Sequence, residues 1–299
     1  MLRKPAFYMY FVIFFLTVMP ILIFSQGATD IYLIEIKVDG EKYDFRQPVK
    51  INQTEGYNNQ PSFHPDGNSL FYSASGGTNT DIYRYDIATG KTSQLTDTPD
   101  SEYSPILMPG GNGFSVIQLV ITEGPRKGAQ PLLSFPLSSG DPGLIYENGE
   151  KVGYHAWIDS QKVAMFVLGS PNFLQIVELK DMSIQHIADN IGRSLYKIPG
   201  QGAISFSQSE KGKPEVIMRY DLKSRETRRL VAMLEGNRFY AWSSSGALIM
   251  GVGSNLFEFR PGVDQDWQLI GNLSTLGINN ISRLAIDSKT KWLAVVNTQ

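Results

Sequence analysis

A short pattern that returns every 40–50 residues constrains this chain more than any other feature. Its clearest copy runs from Pro61 to Thr96. There Phe63-His64-Pro65-Asp66-Gly67 is an apolar residue followed by a Pro-Asp-Gly turn. Leu70-Phe71-Tyr72-Ser73 reads as a strand, Gly76-Gly77-Thr78-Asn79 as a loop and Ile82-Tyr83-Arg84-Tyr85-Asp86 as a strand rich in β-formers. Ala88-Thr89-Gly90-Lys91 turns the chain again, and Thr92 to Leu95 is one more strand. Four antiparallel strands in about 40 residues make one propeller blade.

Further copies of the first turn follow at Leu107-Met108-Pro109-Gly110-Gly111, Trp157-Ile158-Asp159-Ser160-Gln161 and Lys197-Ile198-Pro199-Gly200-Gln201. Two more are Trp242-Ser243-Ser244-Ser245-Gly246 and Ala285-Ile286-Asp287-Ser288-Lys289. The six centres, 65, 109, 159, 199, 244 and 287, are 44, 50, 40, 45 and 43 residues apart. The third strand recurs independently, with copies starting at Ile31, Ile82, Leu132, Leu174, Ile217 and Leu256. The chain therefore opens on a third strand near Ile31 and closes on a first and second strand between Ile281 and Val296. This phase predicts an all-β, six-bladed propeller with one composite blade. Residues 281–297 supply its inner strands and residues 30–53 its outer ones.

The run Pro61-Ser62-Phe63-His64-Pro65-Asp66-Gly67-Asn68-Ser69-Leu70-Phe71-Tyr72-Ser73, with Asp81-Ile82-Tyr83-Arg84-Tyr85-Asp86 and Gln94-Leu95-Thr96, resembles the WD-like repeat of TolB-type propellers. The likeness covers one blade, about residues 58–100. It implies a periplasmic or secreted binding propeller. The α/β domain that precedes the propeller in that family is not expected within residues 28–60, which are too few for it.

Residues 1–27 read as an export signal. Arg3 and Lys4 form its positive end, Ala6 to Phe24 its apolar core, and Ser25 and Gly27 the small residues before a cut at Ala28. The apolar stretch is long enough that an uncleaved membrane anchor is the alternative. Residues 28–299 are then one exported propeller, periplasmic or secreted, and expected to be a monomer. The absence of cysteine excludes disulfides, thiolate metal ligands, a thiol nucleophile and a lipoprotein anchor. With 27 basic and 29 acidic residues the net charge is −2, which gives no bulk reason to bind nucleic acid.

Candidate chemistry is sparse. No Gly-x-Ser-x-Gly elbow occurs, and the serine-rich turn Trp242 to Gly246 lacks the glycine such an elbow needs. His64, His155 and His186 lie in different blades without ligand spacing, so neither metal nor cofactor is expected. Asp66, Asp159 and Asp287 suit turns, where an aspartate accepts backbone N–H groups. Phe63, Trp157 and Trp242 share one repeat position, which points to packing between blades. Arg225, Arg228 and Arg229 read as a solvated outer hairpin. The sequons at Asn52, Asn272 and Asn280 receive no role.

Counting five to seven residues back from each turn centre reaches the channel-lining ends of the first strands. This gives a polar and aromatic rim of Asn58, Asn59, Glu102, Tyr103, Tyr154, Arg193, Arg238 and Asn280, with two arginines and one acid, and His155, at the start of a first strand, is added because it could face the channel. Such a rim suits a neutral to anionic ligand, a protein partner or an envelope polymer. The expected function is non-enzymatic binding through this rim. The alternative is a lyase- or lactonase-type propeller enzyme acting at the channel.

Overall fold

The computed structural model describes residues 27–40, 42–75, 77–138, 140–209 and 212–299. The proposed leader, 1–27, lies outside them except for Gly27. No helix among the described residues is long and apolar enough to cross a membrane. Those residues form six antiparallel sheets arranged as the blades of a propeller. Blade 1 runs from Asn58 to Gln94, blade 2 from Ser101 to Tyr146 and blade 3 from Lys151 to Asp189. Blade 4 runs from Ile191 to Ala232 and blade 5 from Tyr240 to Asn272. Blade 6 is composite. Ile281–Ile286 is its inner strand, Trp292–Thr298 its second and Thr29–Asp39 its third.

Six apolar clusters hold the ring together, one between each pair of neighbouring blades. Every sheet is thus covered on both faces. Second strands therefore read as nearly unbroken apolar runs, such as Leu70-Phe71-Tyr72 and Val163-Ala164-Met165-Phe166-Val167, all buried. Strand alternation assigns the two sides. In the third strand of blade 6, Ile31 and Leu33 pack toward blade 1, and Ile34 and Ile36 toward blade 5. Its partner strand divides in the same way, with Ala294 and Val296 on one side and Leu293 and Val295 on the other.

Closure of the ring is continuous over seven residue pairs, from Thr29↔Thr298 to Glu35↔Trp292, with Leu33 opposite Ala294. Polar side chains lock the outer margin of this seam. The Ile31 N–H donates to Asn52 Oδ1 at 2.8 Å, and Asn52 Nδ2 donates to Asp30 Oδ1 at 2.9 Å. Lys50 Nζ lies 2.8 Å from Asp30 Oδ1, and Gln299 Nε2 donates to Asp30 Oδ2 at 2.8 Å. Burial alone raises the Asp30 carboxyl pKa. The bonds from Lys50, Asn52 and Gln299 outweigh it, so the pKa lies below the ordinary aspartate value.

Two outcomes follow for the seam. Leu33→Ala, which empties a site 3% exposed, lowers the unfolding free energy by about 2–5 kcal/mol in urea titration. Asp30→Asn costs about 1 kcal/mol at neutral pH. Because the native carboxyl is the stronger acid, that cost is fully present above about pH 4 and fades as the pH falls further. Thermal melts of both proteins from pH 7 to pH 3 read the convergence.

Candidate functional site

Each inner strand runs along the axis and ends at the turn that leads to the second strand. In five blades the ladder slips partway along the strand, between Asn59 and Ser62, Tyr103 and Ile106, Val152 and Tyr154, Ile191 and Leu195, and Ile281 and Arg283. Such bulges bend a strand and re-aim its side chains. Gln60 and Ser104 take positive φ values of 58° and 54° within them.

The bulges in blades 3 and 6 leave Tyr154 and Arg283 at equivalent positions, opposite Phe166 and Val296 of their second strands. Blades 3 and 6 face one another across the six-bladed ring. Arg283 Nη2 nonetheless donates a hydrogen bond to Tyr154 Oη at 3.1 Å, so this pair spans the axis. The guanidinium carbon of Arg283 sits 3.7 Å from the ring centre of Phe239 and 5.2 Å from that of Tyr154. Tyr57 and Tyr196 complete its surroundings. Among the described residues, Nε of Arg283 is buried without a hydrogen-bond partner, and the neighbours that act most on its charge are phenols. Burial raises the Tyr154 phenol, but the charge and hydrogen bond of Arg283, together with Arg193 and Gln60, more than reverse this, and its pKa lies below the ordinary tyrosine value.

Above this cross-axis pair the channel widens into a cup of about 570 Å³. Its wall includes Phe63, Leu107, Trp157, Tyr196 and Trp242, and its outer edge includes His64, Pro199, Ser244 and Ser288 at the first turns. Among the described residues, the cationic side chains on its surface are Arg193, Lys197 and Arg283, and the one carboxylate is Asp287. Asp287 is committed to its turn. Its Oδ1 accepts the N–H groups of Lys291 and Trp292 at 2.6 and 2.8 Å. Asp66 and Asp159 act alike, accepting from Asn68 at 2.8 Å and from Gln161 and Lys162 at 2.8 and 2.9 Å.

The cup therefore opens at the turn face, and only part of the expected rim reaches it. Tyr154, His155 and Arg193 line it. Asn58 is buried instead, and its side-chain oxygen and amide serve Thr54, Thr29 and Gly56. Asn59 spends its carbonyl oxygen on the Gln60 N–H at 2.7 Å. Tyr103 packs edge-on to Tyr57 and takes a hydrogen bond from Thr80 at 3.3 Å. Arg238 and Asn280 are exposed and lie outside the cup's lining. Counting from the turns does not reach Arg283. Pro65 stands two residues after Phe63, the last residue of its inner strand, whereas Asp287 stands one after Ile286. The count therefore stops at Ser282, the residue before Arg283.

His155 borders the cup but is only 2% exposed. Its Nε2 lies 2.6 Å from Ser115 Oγ, and burial lowers its pKa to about 3, so the ring stays neutral. Trp157 Nε1 donates to the same Ser115 Oγ at 2.9 Å. Blades 4 and 5 repeat this brace, with Tyr240 Oη and Trp242 Nε1 donating to Ser205 Oγ at 2.9 and 2.8 Å. The aromatic repeat position thus ties neighbouring blades together and presents ring surface to the cup.

Glu102 is sealed inside blade 2. Its Oε1 accepts from Thr98 Oγ1 at 2.6 Å and Gln118 Nε2 at 3.3 Å, while Oε2 has no partner. Burial raises its pKa to about 7. Among the described residues no group of three or more His, Cys, Asp or Glu is placed to hold a metal ion.

Fold and site together define a six-bladed β-propeller with an electropositive, aromatic cup on its axis. No protein-family model matches the chain, and no curated protein matches it in sequence. Solved structures do match. A putative TolB from Agrobacterium tumefaciens superposes with a TM-score of 0.67 at 14% identity, over 91% of this chain and 99% of that one. TolB from Acinetobacter baumannii gives 0.58 at 11% identity, over 92% of this chain and 65% of that longer one. Oligogalacturonate lyase from Vibrio parahaemolyticus gives 0.55 at 12% identity, over 91% of this chain and 98% of that one. What is shared at these identities is the architecture, that of TolB-like propellers.

The buried Glu102 gives a pH signature. An acid weaker in the native than in the unfolded chain contributes stability at low pH that is lost as the pH rises toward its native value. Glu102→Gln should leave the melting temperature near pH 4.5 almost unchanged. Above pH 7 it should raise stability by about 1–3 kcal/mol, read from paired thermal or urea melts.

Proposed function

We propose that this chain is an exported, non-enzymatic propeller that binds a protein or envelope partner by receiving part of it in the axial cup. The observation that carries this reading is the mismatch of charge in the cup. Arg193, Lys197 and Arg283 share it with one carboxylate, Asp287, which is already bonded to its own turn. Flat aromatic walls supply contact area, and the cations supply orientation, a combination suited to recognition. Export rests on Arg3, Lys4 and the apolar run to Phe24, and the TolB-like architecture supports the same setting.

A second reading is a lyase-type enzyme. It is favoured by the Tyr154–Arg283 pair, a phenol made more acidic beside a cation, and by the propeller it shares with an oligogalacturonate lyase. Incubation with oligogalacturonate, followed by ultraviolet absorbance of a newly formed double bond, separates the two readings. The binding reading expects no turnover.

Mass spectrometry of the mature chain should find an N-terminus at Ala28. In capture experiments from the native envelope, Ser62→Trp, which fills the cup wall, should abolish retention of the partner. Arg193→Ala should weaken it by roughly tenfold, as for loss of one charge-assisted hydrogen bond. Arg238→Ala, outside the cup, should leave it unchanged. Equal retention by the wild-type and Ser62→Trp proteins would overturn the reading.

A further inference from the structure

We infer that the group received at the base of the cup is a carboxylate, and that Arg283 is its counter-ion. The inference rests on the binding reading above and names the chemistry of the ligand. Arg283 lines the cup and is half-buried, with one hydrogen bond spent on the Tyr154 phenol. A guanidinium carries five N–H donors and does not lose its proton, so most of its donor capacity is unused. Its surroundings are aromatic: Tyr57, Tyr154, Tyr196 and Phe239. Rings offset part of the cost of removing a cation from water, but they do not neutralise it. A base designed only to brace the channel would be served by an apolar side chain without that cost.

The geometry favours a planar anion. The Phe239 ring covers one face of the guanidinium at 3.7 Å, which leaves donors in its plane, the direction in which a carboxylate binds through two parallel bonds. Arg193 lines the same cavity and adds to the positive field at Tyr154. The walls that rise from the base toward the turns are flat and largely apolar, including Tyr196, Trp157 and Trp242. The ligand group is therefore a carboxylate attached to a ring or a short apolar unit. A peptide chain end and an acidic sugar both present this chemistry.

The test uses the full mature chain and two matched pairs of probes. N-acetylphenylalanine is compared with its amide, and galacturonate with galactose, by calorimetry and by the fluorescence of the tryptophans on the cup. The acid of at least one pair should bind roughly ten to a hundred times more tightly than its neutral partner. The preferred pair identifies the source, and the preference should shrink with added salt. Arg283→Met should erase it and Arg283→Lys should restore part of it. Arg238→Ala, which removes a cation outside the cup, should preserve it, and thermal melts matching the wild type guard against a fold defect in the Arg283 variants.

Equal affinity within both pairs, no measurable binding by any of the four probes, or competition by inorganic phosphate as strong as that by the acids overturns the inference. If partner capture is still lost in Ser62→Trp under that outcome, the binding reading stands without the carboxylate. If capture is also unaffected, both fail.

Discussion

The ring depends on one seam. Five blades are built from consecutive strands, but the sixth exists only when Thr29–Asp39 lies against Trp292–Thr298. Without that pairing, blades 1 and 5 would each expose an apolar face, because the clusters that cover them take residues from blade 6. The seam therefore supports two of the six interfaces directly and the circular geometry of all of them. It achieves this without a covalent link, through a buried apolar ladder whose outer margin is held by Asp30, Lys50, Asn52 and Gln299.

A rigid ring gives the axial residues their meaning. Inner strands converge on a narrow channel, so small changes of register decide which side chains meet there. Bulges supply those changes in five blades. They bring Tyr154 and Arg283, residues 129 positions apart, into hydrogen-bond contact. The arginine can be kept there because aromatic rings surround it. The cup beyond it inherits a positive field, since Asp287 faces its own backbone.

The architecture was legible because its signals are periodic. Turns near Pro65, Pro109, Asp159, Pro199, Ser244 and Asp287 mark first-to-second-strand hairpins, and the segments starting near Ile31, Ile82, Leu132, Leu174, Ile217 and Leu256 all lie in third strands. The phase of the chain ends gave the composite blade. The site was legible only in part. Tyr154, His155 and Arg193 reach the cup, but a count along the strand assumes unbroken alternation, which a bulge breaks. Asn58 and Glu102 look like rim residues by position, yet they serve hydrogen bonds with Thr54 and Thr98 on the segments that lead into their blades. Arg283 fell one residue beyond the count, and nothing in its local sequence distinguishes it from a surface arginine. Its partners come from blades remote in the chain.

The contact between Arg283 and Tyr154 also has a consequence for the shape of the channel. A strut laid along the diameter of the ring, with Phe239 wedged against it, crosses the axial passage at the base of the cup. The two faces of the ring are thus unlike: the cup opens on the face of the first turns, with the strut at its base.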